Sequence, residues 1–283
     1  ITVSTNIIGY LPLVGESLRT AVLAGKELNA ETLRTFFTFH TAVLPFLLLL
    51  LVMYHFWRVR KAGGIMLPVS DEKGEMVPSM PNLVFKEFIV ALVLIAVLFT
   101  FSVLFNAPLL EKANPAYSLN PTKAPWYFAG VQELLMHFHP FFAAFIIPVG
   151  VVVFLAWIPY VKYDEPANGH WFISPEGKKS SKDTARFAAI ITIAGILFNE
   201  YILNFEAMLS PVPAFISNGL LPLLILAGFM AAYYKYYLKK LSLPKAETVQ
   251  AVFVFITVAF IVLTIVGIFF RGKDMALTFP WNV

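Results

Sequence analysis

Six long apolar runs, each bounded by charged or aromatic residues, dominate this 283-residue chain. They extend from about Thr35 to Trp57, Phe88 to Phe105, Pro140 to Val161, Phe187 to Phe205, Phe215 to Tyr237 and Val249 to Phe270. Crossing the hydrocarbon core takes about 20 mostly apolar residues. The pattern therefore predicts an all-α transmembrane bundle of about six helices. Trp57, Tyr160, Tyr233, Tyr234, Tyr236 and Tyr237 stand at the ends of runs, as an aromatic belt would. From Leu11 to Thr35 the apolar residues are mixed with Glu16, Arg19, Lys26, Glu27, Glu31 and Arg34, which predicts short amphipathic helices on the membrane surface. The 106–139 stretch holds Pro108, Pro115, Pro121 and Pro125, so it reads as a long ordered loop and not as one helix. The expected division is surface helices over 1–34, a first transmembrane helix over 35–61 and a loop over 62–87. Two helices with the long loop follow over 88–165, then three more over 166–283. Pro45, Pro148 and Pro222 should kink their helices. Gly195, Gly228 and Gly267 should permit close helix packing.

Charge orients the bundle. The 58–87, 162–186 and 235–248 loops carry fourteen Lys and Arg residues, against seven in the other loops and the two ends. Positive charge collects on the cytoplasmic side. Both ends and the 106–139 loop are then expected in the periplasm, and the chain in a bacterial or archaeal inner membrane. Only 13% of residues are charged and 59% are hydrophobic, which points to a surface in lipid. The net charge of +4 belongs to the loops and implies no nucleic-acid partner. With no cysteine, the chain forms no disulfide, thiolate metal site, iron–sulfur ligation or covalent c-type haem link. Ile1 to Leu13 has neither a start methionine nor the marks of a signal peptide, so a portion upstream is expected.

The first run holds two histidines, His40 and His55, fifteen residues apart. In an α-helix that is about 22 Å along the axis and about 60° of net rotation. Two imidazoles leaning to one side, one in each leaflet, have the geometry needed for two stacked haems, and neutral imidazole is the usual axial ligand of b-type haem. Packed or interfacial histidines are the alternative. No other run holds such a pair, so the opposite ligands would lie upstream or on another chain. Arg58, Arg60 and Lys61 follow His55, where they could pair with cofactor carboxylates or simply anchor the helix. Arg34, at the opposite approach, is a further candidate cofactor contact. In the long loop Tyr127, Glu133, His137 and His139 lie among aromatic residues. Quinol oxidation asks for such a mixture, an apolar slot for the ring and acceptors for its protons. An interfacial aromatic anchor with solvated histidines would read the same way.

The stretch Leu33-Arg34-Thr35-Phe36-Phe37-Thr38-Phe39-His40-Thr41-Ala42-Val43-Leu44-Pro45 resembles the start of the fourth helix of cytochrome b in bc-type complexes. The spacing of fifteen resembles that of the split, photosynthetic-type relatives, the mitochondrial version being one residue shorter. Gly9-Tyr10-Leu11-Pro12-Leu13-Val14-Gly15 looks like the segment joining the third and fourth helices, beside the quinol-oxidation site. Ala124-Pro125-Trp126-Tyr127 takes the place of that family's Pro-Glu-Trp-Tyr signature. There Pro125 replaces the proton-accepting glutamate, leaving Glu133, His137 and His139 as candidates for proton exit, while Pro125 and Trp126 border the bound quinol. Low-potential bacterial members vary this position, which favours menaquinol.

The resemblance implies a subunit of a respiratory quinol:cytochrome c-type oxidoreductase. Quinol is oxidised on the periplasmic side, and electrons cross through two b haems at His40 and His55 to quinone inside, with proton translocation. The implied partners are the membrane, an N-terminal cytochrome b portion, an iron–sulfur protein, a cytochrome c-type subunit and a second copy of the complex. Two rivals stand beside it: a di-haem anchor feeding another catalytic subunit without bifurcation, and a haem-free transporter or scaffold. The last helix is unexplained.

Overall fold

The computed structural model describes residues 2–64, 77–106, 120–163, 171–202, 208–209 and 211–282. The helices are α1 (Thr2–Gly9), α2 (Gly15–Leu23), α3 (Ala30–Lys61), α4 (Val84–Leu104), α5 (Trp126–His137), α6 (Phe142–Tyr160), α7 (Pro175–Tyr201), α8 (Ile216–Leu241) and α9 (Lys245–Phe269). Five of them, α3, α4, α6, α8 and α9, are long and apolar enough to cross a membrane. The chain is an all-α transmembrane protein. Residues 68–119, which include α4, form a unit of their own, and the remainder forms the other.

Three expectations change in detail. The last part of the expected surface stretch is continuous with the first span, as α3 runs from Ala30 to Lys61 without a break. Asn29 starts it with a capping box. Its side chain accepts from the Glu31 and Thr32 N–H groups, and Thr32 Oγ1 accepts from Asn29 N–H. The expected Phe187–Phe205 span falls largely on α7, whose mostly apolar stretch is only the twelve residues from Phe187 to Phe198. Arg186 bounds it on one side, Asn199 and Glu200 on the other, and residues 203–207 lie outside the described residues. The 120–139 part of the expected loop contains the helix α5.

Each proline expected to kink a helix is preceded by a wide π-turn. The turns are Phe39–Val43 before Pro45, Phe142–Ile146 before Pro148 and Ile216–Leu220 before Pro222. A proline has no N–H and its ring crowds the carbonyl four residues back, so the turn before it opens by one residue. The freed carbonyl of Asn218 is used elsewhere, accepting from the His139 N–H at 2.7 Å.

The packed core lies where α7, α9 and α5 meet. At one end the buried Glu247, in the first turn of α9, accepts from the Ile173 and Ser174 N–H groups and from Ser174 Oγ, fixing the start of α7. At the other end Arg271, two residues past α9, meets Asn199 and Glu200 at the end of α7 through the cluster described below. The two helices therefore run parallel. α5 lies against the second half of α9, where a Cβ on Gly267 would stand 2.8 Å from the Ala129 carbonyl and one on Gly130 2.7 Å from the Phe260 ring. Gly195 and Gly228, by contrast, face open space, so of the three glycines only Gly267 makes a close helix approach among the described residues.

Candidate functional site

Two places carry the predicted residues. The first is α3, no residue of whose most apolar window is buried within the chain. His40 and His55 are both exposed, and among the described residues neither imidazole makes a hydrogen bond. His40 lies inside the π-turn and borders an apolar cleft of about 300 Å³ shared with Val22, Phe36, Phe39 and Leu44. A π-turn closes one residue later than an α-turn. It takes up much of one residue's about 100° of rotation, so the two imidazoles come nearer to one side of the helix than the about 60° of a regular helix. An uncommitted imidazole beside an apolar cleft fits a flat apolar macrocycle held through its iron. The flanking cations are already engaged: Arg34 pairs with Glu31 at 3.2 Å and Lys61 lies over the Trp57 ring at 5.2 Å. Arg60 is exposed.

The second place is built on α5. Pro125 is its N-cap, accepting the Phe128 N–H through its carbonyl. From there Ala129, Gly130, Glu133 and His137 share the face turned to α9 and are buried. Glu133 and Arg271 are both fully buried. The guanidinium grips the carboxylate with two parallel bonds, Nη2 to Oε1 at 2.6 Å and Nε to Oε2 at 3.0 Å. Arg271 Nη1 also donates to Glu200 at 3.0 Å and to the Met275 carbonyl at 2.9 Å. His137, one turn beyond Glu133, has Nε2 3.0 Å from Glu133 Oε1 and Nδ1 2.7 Å from Asn199 Oδ1. Burial alone would push the Glu133 carboxyl up. The bonds from His137 and Arg271 outweigh it and hold the group below the usual carboxylate range.

The structure thus joins Glu133 to His137 and leaves the other two predicted acceptors apart. His139 sits in an aromatic cluster, its ring 5.3 Å from Tyr10 edge-on and 5.7 Å from Phe215, with Nδ1 accepting the Phe141 N–H at 3.3 Å. That contact brings the 9–15 turn against the end of the 120–139 segment, the two sides expected to border a quinol. Trp126 and Tyr127 are exposed at the start of α5, forming an open aromatic face. Three residues of the cluster escaped sequence reasoning: Arg271, Glu200 and Asn199. Their signal was position, since each follows directly on an apolar helix stretch at the end that carries α5.

The segment around 120–125 is pinned by the chain's far end. Asn120 and Asp274 bond to each other twice, through a side chain and a backbone N–H, and Lys123 Nζ donates to the Ile268 carbonyl at 2.9 Å. Gln132 closes the turn, accepting from Ala124 N–H and donating to the Thr122 carbonyl.

Residues 1–121 match the family model described as Cytochrome b(N-terminal)/b6/petB. Through this segment, less than half of its length, the chain is similar to the cytochrome b family. The match takes in both surface helices, α3 with its two histidines, and α4. The α5 cluster lies beyond the matched residues.

Proposed function

We propose that this chain is the haem-bearing part of a bc-type complex, oxidising quinol on the periplasmic side and coupling that oxidation to proton translocation. The observation that carries the reading is the junction of the Tyr10 turn, the His139 aromatic cluster and the α5 helix with its buried Glu133–His137 pair. His40 and His55 would hold two b haems, whose irons supply one-electron carriers in the two leaflets when bound. A second histidine per iron would come from a preceding cytochrome b portion. The expected dimeric complex, with its iron–sulfur and cytochrome c-type partners, belongs to the same reading, as does menaquinol.

The residues' own work is positional and protonic. Trp126 and Tyr127 offer apolar faces at the start of α5, and the Tyr10–His139 contact lies beyond its other end. His137 takes the part that Pro125 cannot. With Nδ1–H directed to Asn199 Oδ1, its Nε2 carries the lone pair between Glu133 Oε1 and Arg271 Nη2, and once protonated it donates to Glu133 Oε1. A quinol O–H breaks, the N–H bond forms, and Glu133 stabilises the imidazolium. Arg60 and Lys61 face the cytoplasmic end of α3, suited to anionic groups there, and Arg34 does so at the opposite end.

The test is quinol oxidation by the purified complex. His137→Asn should lower the rate strongly and remove a pH-dependent limb, with the haem spectrum intact. His40→Ala and His55→Ala should each remove one b haem from the reduced-minus-oxidised spectrum. An unchanged rate and pH profile in His137→Asn would remove that residue from proton transfer. Intact b-haem bands in both alanine variants would overturn the ligation.

A further inference from the structure

His137 Nε2 stands between opposite influences. Glu133 Oε1 is 3.0 Å away and Arg271 Nη2 is 3.4 Å away. If Glu133 were the cluster's only acid, Arg271 would cancel it, and a buried imidazole would gain little by taking a proton. Glu200 changes that balance. Its carboxylate holds the opposite edge of the same guanidinium at 3.0 Å and is a quarter exposed, the most solvated charge in the cluster. Two carboxylates and one guanidinium sum to one negative charge, and a single imidazolium brings the sum to zero. Arg271 does not carry that proton, since a guanidinium does not release one in a protein.

We infer that Glu200 and Arg271 are positioning residues that set the proton affinity of the Glu133–His137 pair, Arg271 keeping Glu133 aligned and ionised, and Glu200 supplying the charge that draws a proton onto His137. The assignment also gives the last helix a task, because α9 ends where Arg271 must be delivered. Among the described residues, the charged and titratable groups facing the pair are Arg271 beyond α9 and Glu200, with the polar Asn199, on α7. Lys123 and Asp274 nearby are engaged with the Ile268 carbonyl and with Asn120. His139, at the end of α5, has its ring in the Tyr10 cluster. The Phe142–Ile146 turn against α5 carries no charge.

The inference rests on reading the pair as a proton acceptor for quinol, but its first readout needs no quinol. In the intact, haem-loaded complex, the pair's proton uptake is followed by histidine-selective isotope-edited infrared or NMR titration, with His137→Asn identifying the signal. Glu200→Gln should weaken proton binding about tenfold or more, moving the midpoint down by about one pH unit. Glu200→Asp, which keeps the charge, should return it most of the way. The limb of quinol oxidation that rises as His137 becomes neutral should move to lower pH by the same amount. A midpoint unmoved in Glu200→Gln overturns the assignment. If Glu200→Gln fails to assemble, Glu200→Ser takes its place, and an unmoved midpoint there overturns it equally. A midpoint that moves while the quinol profile does not leaves the positioning role standing and refutes the quinol role of the pair.

Discussion

Replacing Arg271 by methionine keeps most of the side-chain volume and removes the charge, leaving Glu133 buried without its cation. Glu133 accepts two bonds from the guanidinium, at 2.6 and 3.0 Å, and has His137 at 3.0 Å. A hydrogen bond to a charged group contributes about 1.5–3 kcal/mol, so losing two costs about 3–6 kcal/mol. Breaking a buried ion pair by removing one partner is independently expected to cost about 3–5 kcal/mol. Both groups are fully buried, so solvent screening gives no reason to reduce the figure. The double variant Glu133→Leu/Arg271→Met removes both charges and should recover most of the loss, because an apolar pair of similar size often matches a buried ion pair. Glu200 tolerates the change, being partly solvated.

The assay is thermal and denaturant unfolding of the detergent-purified complex for wild type, both single variants and the double. A pH series supplies a second axis. The folded Glu133 lies below its ordinary value of 4.5, so its contribution is fully present above that pH and is lost as pH falls through the lower folded value. The stability gap between wild type and Glu133→Gln should close on acidification below about pH 4.5. An Arg271→Met variant less than about 1 kcal/mol weaker than wild type, or a double variant no better than the single, would refute the reasoning.

Two further outcomes follow from the helix geometry. Gly267→Ala places a methyl 2.8 Å from the Ala129 carbonyl, a backbone atom that cannot turn aside, and should cost about 1–3 kcal/mol in the same unfolding assay, while Gly228→Ala meets open space and should cost nothing measurable. Pro45→Ala restores the missing N–H, so the π-turn should relax to an α-turn and rotate His40 away from the side that His55 shares; the electron paramagnetic resonance of the haem at His40 should shift while that at His55 does not.

Much of the fold was legible because lipid imposes one rule on every span: some twenty apolar residues, with charges at the ends. That rule found the five spans, and it faltered where α7 mixes a polar first half with a twelve-residue apolar stretch. Proline is a strong local signal, and Pro45, Pro148 and Pro222 marked their helices correctly, but whether a proline bends a helix or widens its preceding turn depends on the carbonyls around it. The α5 helix was hidden by the prolines of the 106–139 stretch. All four precede Trp126, and from Trp126 to His139 the chain is free to coil. The pair Glu133 and His137, four apart behind Ala129 and Gly130, was the available sign of a buried helical face.

The candidate site divides along the same line between local and distant information. His40, His55 and the Pro125 substitution are read along the chain, because spacing and motif are local properties. Arg271 lies 138 residues from Glu133 and contributed to the sequence reading only as one positive charge in a count. What the count missed is that Glu133, Glu200 and Arg271 are each charges at the margin of apolar stretches. A charge there is costly unless paired, and two acids with one base at the same level demand a common solution. The bidentate grip of Arg271 on Glu133, with Glu200 on its other edge, is that solution, and it requires α9 to run parallel to α7 and to end beside α5. The topology of the last three helices thus follows from a charge-pairing requirement as much as from hydropathy. This is why a segment that reads as generic membrane helix along the sequence carries the residues that fix the electrostatics of the α5 pair.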